Sequence, residues 1–145
     1  MWSRCARLVE LITAWKAIIV LSMERYLIIM AGGAIGTLAR YAAASAIMAR
    51  VNSRFPFGTF LVNITGCLLI GALMTILAER GAHPNWRLGL VVGVLGGYTT
   101  FSSFEYEAYL STRTGFPFIA LMNVAASVVV GYLAVWLGAA LATRH

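Results

Sequence analysis

The sequence predicts an all-α integral membrane protein with four transmembrane helices, of which the third is broken. Composition indicates the class, because 61% of the 145 residues are hydrophobic, only 11% are charged and the mean hydropathy is +0.84. Four apolar runs have roughly the 20 residues needed to cross about 30 Å of hydrocarbon. They lie at 26–48, 57–78, 88–110 and 116–142. The connections are too short to hold a soluble catalytic domain.

Residues 1–22 do not share this pattern, so we divide the chain into an N-terminal extension, 1–22, and a four-helix transmembrane domain, 23–145. The extension places Glu10 and Lys16 among apolar residues, and Met23 begins a segment that looks like a second, natural start. We expect a misassigned start or a peripheral amphipathic segment. A signal peptide is the alternative, although the two charges interrupt its apolar part and no A-x-A cleavage site follows.

The third apolar run contains an interruption where an ordinary membrane helix would carry leucines and valines. Residues 96–100 read Gly-Gly-Tyr-Thr-Thr, which weakens a helix. Non-helical backbone at bilayer depth is tolerated only where protein buries it or where it lines a wet cavity. If the helix resumes after the break, Phe101 and Phe104 share one of its faces. The stretch therefore predicts a site with two aromatic rings aimed at it.

Glycines in the same run predict how it packs. Gly89, Gly93 and Gly97 recur every four residues, and small residues at this spacing let helix backbones approach closely in membranes. The spacing predicts a packing face that leads into the break.

Other polar side chains inside the apolar runs need partners. Asn63 lies in the second run. Its amide either bonds to another helix, which is a structural role, or has a functional role. Asn123 and Ser127 are four residues apart in the fourth run and share a face, which usually points to protein or water. Arg40 needs an anion, a carbonyl or an aqueous vestibule, unless it snorkels to the interface.

Several function classes find no support in the chain. The net charge of +6 comes from basic residues that lie mostly at the ends of the runs, so we expect no nucleic acid partner. Cys5 and Cys67 are far apart, and neither a metal-ligand cluster of His, Cys and carboxylates nor a nucleophile motif is present. We therefore expect no enzyme.

The arginines near the span ends are almost balanced between the two sides of the membrane. With a start at Met23, one side holds Arg25, Arg80, Arg87 and Arg144, and the other holds Arg50, Arg54 and Arg113. Because an excess of basic residues sets orientation, such a balance permits insertion both ways round. An antiparallel dimer becomes possible.

Three segments resemble those of the CrcB/Fluc fluoride channels. They are GGAIGTLARY at 32–41, GTFLVNITG at 58–66 and GVLGGYTTFSSF at 93–104. Their order and spacing are specific, whereas one glycine motif alone would be weak. The resemblance covers about 26–141.

The resemblance implies a dual-topology antiparallel homodimer in the cell's inner (plasma) membrane, with two narrow pores that let fluoride leave the cytoplasm passively. It implies a structural sodium ion at the dimer interface, held by backbone carbonyls of Gly96 and Thr99 from both subunits. The implied pore residues are Asn63, Phe101, Phe104, Asn123, Ser127, Ser102, Ser103 and Glu107, and Arg40 would line the vestibule. Asn123 departs from the family pattern, in which some members have tyrosine.

Two other hypotheses stay open at this stage. A small four-helix multidrug exporter is also short and dual in topology, but it needs a buried acid that the first run lacks after Glu24. A non-transporting membrane scaffold subunit would account for the glycine stripe. It would not account for the polar break at 96–100.

Overall fold

The computed structural model describes the backbone of residues 2–143 and the side chains of residues 23–143, and within these bounds the chain is helical with no strands. The α-helices are α1 (Trp2–Met48), α2 (Phe57–Glu79), the single turn α3 (Pro84–Trp86), the short α4 (Gly96–Tyr98), α5 (Phe101–Arg113) and α6 (Pro117–Ala142). A π-helical segment, Arg87–Leu95, joins α3 to α4.

Three helices are long and apolar enough to cross a membrane within the described residues: Met23–Met48, Phe57–Glu79 and Pro117–Ala142. They coincide with the first, second and fourth predicted runs. The run at 88–110 is divided among the π-helical segment, α4 and α5, each of which is too short to count as a span by itself. Arg144, which entered the charge balance, lies outside the described residues.

Residues 2–22 continue into the first predicted span without a helix break, since α1 is one helix from Trp2 to Met48. The division of the chain at residue 22 therefore has no counterpart in the secondary structure. Whether the extension is a misassigned start or a peripheral segment stays a prediction.

Glycines end two of the helices in the same way. Gly81 follows α2 with φ of 55°, and Gly115 follows α5 with φ of 88°, a region of backbone space that glycine enters at no steric cost. After α2, the amide of Gly81 donates to Ala78 and that of Ala82 donates to Leu77, which is the Schellman arrangement. The corresponding bonds follow α5. A proline then begins each next helix, where its missing N–H costs nothing.

Two helix pairs organise the molecule, and glycines let both approach closely. The α1 helix packs on the π-helical segment and α4, while α2 packs on α6. A Cβ atom on Gly32 would lie 3.0 Å from the Cα of Gly93, and one on Gly97 would lie 2.6 Å from the carbonyl oxygen of Gly33. The predicted stripe therefore packs against α1 and leads to the end of α4.

Candidate functional site

The backbone leaves the helix at Thr99 and Thr100. Thr99 has φ of −86° and ψ of 156°, and Thr100 has φ of −149° and ψ of 117°, which are extended conformations that any residue adopts. The α4 helix ends at Tyr98 and α5 begins at Phe101. Backbone groups near this turn lose their helical partners, and each must find another if it is buried.

Asn63 of α2 bonds to both backbone groups of Thr100. Its Nδ2 donates to the Thr100 carbonyl oxygen at 3.0 Å, and its Oδ1 accepts from the Thr100 amide at 2.9 Å. A primary amide carries a donor and an acceptor side by side, so it pairs with one residue's backbone much as a neighbouring strand would. Asn63 thus makes the interhelical bond that was one of its two predicted roles. Its second Nδ2 hydrogen is not used in this pair.

Arg40 of α1 supplies a partner for Gly97. In a continuous α-helix the Gly97 carbonyl would accept from the amide of Phe101, four residues on. The extended backbone moves that amide away, and Arg40 Nε donates to the Gly97 oxygen instead, at 3.1 Å. Of the partners that the sequence allowed for this arginine, an anion, a carbonyl or a vestibule, the structure shows the carbonyl.

The carbonyls of Gly96 and Thr99 lose the amides that would donate to them in a continuous helix. The Thr100 amide, which a continuous helix would direct to Gly96, donates to Asn63. The Ser103 amide, which a continuous helix would direct to Thr99, donates to the Thr100 hydroxyl at 3.3 Å. These two carbonyl oxygens therefore lose their helical donors, and carbonyl oxygens of this kind suit a hard cation such as sodium. Among the described residues, no group of three His, Cys, Asp or Glu side chains could hold a metal.

The aromatic pair meets on α5 as the spacing predicted. The ring centroids of Phe101 and Phe104 lie 5.8 Å apart, with 51° between their planes. Phe104 is 6% exposed, whereas Phe101 is 74% exposed. Thr100 caps α5, because its hydroxyl accepts from the Ser103 amide and donates to the Ser103 hydroxyl at 3.0 Å.

A cavity of about 370 Å³ lies beside the break. Six of the residues proposed from sequence line it: Asn63, Gly96, Thr99, Phe101, Phe104 and Ser127. Thr100 and Cys67 also line it, together with apolar residues of α2, α6 and the π-helical segment. The structure therefore brings one aromatic pair, one amide and both predicted carbonyl residues to one opening.

Asn123 lies behind this cavity rather than in its wall. It is 1% exposed, and the Ser127 hydroxyl donates to its Oδ1 at 3.4 Å. Its Nδ2 is buried without a hydrogen-bond partner in the described structure. The predicted polar stripe is present, and it ends in a buried donor that has no partner among the described residues.

Glu107 lines a second cavity of about 250 Å³, together with Ser45 and Thr59. The Thr59 hydroxyl donates to Glu107 Oε1 at 2.6 Å, while Oε2 is buried without a partner among the described residues. Ser102 is exposed on α5 and Ser103 is tied to the cap. Arg40, Ser102 and Ser103 are absent from the walls of both cavities.

Sequence reasoning missed two contributors. Thr100 is the residue whose backbone Asn63 pairs and whose hydroxyl caps α5, and Thr59 is the donor to Glu107. A threonine directly before the first residue of a helix is a recognisable capping signal. Nothing in the sequence indicates that Thr59 and Glu107, 48 residues apart, come together.

Comparison with known proteins bears on this geometry. The family model described as "CrcB-like protein, Camphor Resistance (CrcB)" matches residues 27–139. Three similar proteins are each named "Fluoride-specific ion channel FluC". The one from Solibacter usitatus is 58% identical over 121 residues, covering 83% of this chain and 99% of its own length. That from Acidobacterium capsulatum is 45% identical, with coverages of 83% and 97%. That from Rhizobium meliloti is 42% identical, with coverages of 82% and 96%.

The family matched by these comparisons is the one that the three sequence segments resemble, so that resemblance is confirmed. Together with three apolar helices of membrane-spanning length, the match makes this a multi-pass membrane protein. The chain belongs to the CrcB-like family.

Proposed function

We propose that this protein is a fluoride-selective channel that lets fluoride leave the cytoplasm passively across the inner (plasma) membrane. The observation that carries the proposal is the cavity beside the break, lined by Phe101, Phe104 and Asn63. It lies in a chain whose relatives are named fluoride-specific ion channels.

The chemistry of the cavity suits a small anion. Aromatic ring edges are electropositive, and the second Nδ2 hydrogen of Asn63 adds a conventional donor. A pore for a strongly hydrated ion must replace its water with several well-placed groups. Phe101, Phe104 and Asn63 would supply such groups, and a wider ion such as chloride would be excluded by size and by donor geometry.

Further polar groups would extend the path on both sides of the rings. Ser127 lines the cavity, and Asn123 behind it carries the buried Nδ2 without a partner. Ser102, Ser103 and Glu107 would form the polar track beyond the rings. Arg40, whose Nε donates to the Gly97 carbonyl at the break, would line the vestibule.

We further propose that residues 88–110 make a third, broken crossing and that the working unit is an antiparallel, dual-topology homodimer with two pores. The 74% exposure of Phe101 supports this, because a ring that lines a pore needs a second wall. A structural sodium ion at the interface would be held by the carbonyls of Gly96 and Thr99 from both subunits. It would neutralise the carbonyl dipoles there and hold the two breaks together.

Reconstitution in liposomes tests the function directly. Purified protein is placed in vesicles loaded with fluoride or with chloride, and anion efflux is followed by an ion-selective electrode after addition of a potassium ionophore. Rapid loss of fluoride with retention of chloride is expected. Equal loss of both ions, or retention of both by protein shown to be dimeric, would contradict the proposal.

Two variants connect that flux to the rings. Phe101→Ile and Phe104→Ile keep most of the apolar volume but remove the ring edges, so fluoride efflux should stop while the oligomeric state in size-exclusion chromatography stays the same. Leu69→Ala, which truncates an exposed side chain on α2 outside both cavities, is the matched control. Unchanged flux in both isoleucine variants would remove the rings from the path.

A further inference from the structure

Arg40 lies where α1 reaches the end of α4. Gly33, Thr37 and Arg40 recur at the spacing of one helical face. A Cβ atom on Gly97 would lie 2.6 Å from the Gly33 oxygen and 3.1 Å from the Thr37 nitrogen. Arg40 is the next residue along this face, and it is part-buried with its Nε 3.1 Å from the Gly97 oxygen. Close packing of the α1 and α4 backbones therefore places the Arg40 side chain at the break.

The hydrogen bond replaces one that the break removes. A helical Gly97 carbonyl would accept from Phe101, but the extended backbone at Thr99 and Thr100 takes that amide out of reach. A part-buried carbonyl without a donor is unfavourable. Arg40 from α1 and Asn63 from α2 thus each satisfy backbone groups on one side of the break, Gly97 before it and Thr100 after it.

We propose that Arg40 is a positioning residue, which supports conduction through its Nε–H bond to Gly97 rather than through its charge. This proposal rests on the channel function proposed above. Gly97 lies between Gly96 and Thr99, and the break leads directly to Phe101. A donor that fixes the position of the Gly97 carbonyl therefore fixes the backbone at the start of the proposed fluoride path. A charge in the vestibule would instead act on the anion at a distance.

Three substitutions separate the donor from the charge. In Arg40→Gln the amide nitrogen stands the same number of bonds from Cα as Arg Nε, so the donor remains and the charge is lost. In Arg40→Lys a methylene group takes that position, so the charge remains and the donor is displaced by one atom. Arg40→Met extends the side chain as far as the position of Arg Nε and loses both properties.

Two measurements are made on each variant in liposomes. The first is fluoride efflux at low and at high ionic strength. The second is hydrogen–deuterium exchange, read by mass spectrometry, of the peptide that covers 97–104. We expect Gln to keep most of the wild-type flux, while Lys and Met lose about tenfold or more and exchange the 97–104 amides about tenfold faster. Arg50→Met is the matched control, because that arginine bonds only to Ala46 at the exposed end of α1.

The outcomes decide between the two roles. If Lys conducts better than Gln, and the deficit of Gln grows at low ionic strength where charges are least screened, then Arg40 acts by its charge and the proposal is wrong. Equal losses in Gln and Lys also overturn it, because the donor would then have no separate effect. If wild-type protein passes no fluoride, the channel function fails, yet the exchange rates of the three variants still decide whether Arg40 holds the break.

Discussion

Replacing Asn63 by leucine should destabilise the fold at the break. The substitution keeps the branched shape of the side chain but removes both bonds to Thr100, at 3.0 and 2.9 Å. A buried backbone group left without a partner costs about 1–3 kcal/mol, whereas interhelical bonds in one membrane protein average about 0.6 kcal/mol. Only the Thr100 amide is left without a partner, because the carbonyl of this N-cap residue still accepts the first bond of α5. The free energy of unfolding should therefore fall by about 1–3 kcal/mol.

The assay is unfolding in mixed micelles by titration with a denaturing detergent, followed by circular dichroism. Thr75→Val is the matched control on the same helix, since the Thr75 hydroxyl bonds only to the Gly71 carbonyl of its own helix. It should change the free energy of unfolding by about 0.5 kcal/mol or less. If Asn63→Leu is no more destabilising than Thr75→Val, then the Asn63–Thr100 pairing does not hold the break and our reasoning is refuted.

Three further predictions use the same unfolding assay. Gly36→Ala should lower the free energy of unfolding by about 1–3 kcal/mol, because its Cβ would collide with the backbone of the π-helical segment. Gly33→Ala is the control and should not lower it, because its Cβ would lie 4.0 Å from its nearest neighbour. Thr59→Val should cost about 1.5–3 kcal/mol by removing the donor to the Glu107 carboxylate, and a stability within error of wild type would contradict this. Asn123→Leu should change stability by about 1 kcal/mol or less, because loss of the long bond from Ser127, 3.4 Å, is offset by removal of a buried donor that has no partner among the described residues, while fluoride efflux falls; a large loss of stability would show that the amide is structural.

Much of the architecture follows from patterns that one sequence displays by itself. Apolar runs of bilayer length mark the three long helices, and the stretch 96–100 marks the interruption because glycines and threonines weaken a helix within one turn. The face shared by Phe101 and Phe104 follows from helical spacing alone. Each of these features depends on residues close together in the chain, so sequence reasoning reaches them.

The partners across the fold could not be predicted in this way. Asn63 was open to a pore role or an interhelical bond, and the structure shows that it pairs with Thr100, 37 residues away. Arg40 was open to an anion, a carbonyl or a vestibule, and its partner is the carbonyl of Gly97, 57 residues away. Such pairs depend on how helices pack against each other, and a single sequence carries no record of that packing.

The distribution of donors at the break links packing to the proposed function. At the two extended residues, α1 supplies Arg40, which donates to the Gly97 carbonyl, and α2 supplies Asn63, which bonds to the amide and the carbonyl of Thr100. The carbonyls of Gly96 and Thr99 lose their helical donors to Asn63 and to the Thr100 cap. The carbonyls that suit a cation thus lack the donors of a continuous helix, and both residues line the cavity beside the break. Non-helical backbone at bilayer depth is tolerated where protein buries it or where it lines a wet cavity, and these carbonyls are the groups that the proposed ion, shared with a second copy of the chain, would satisfy.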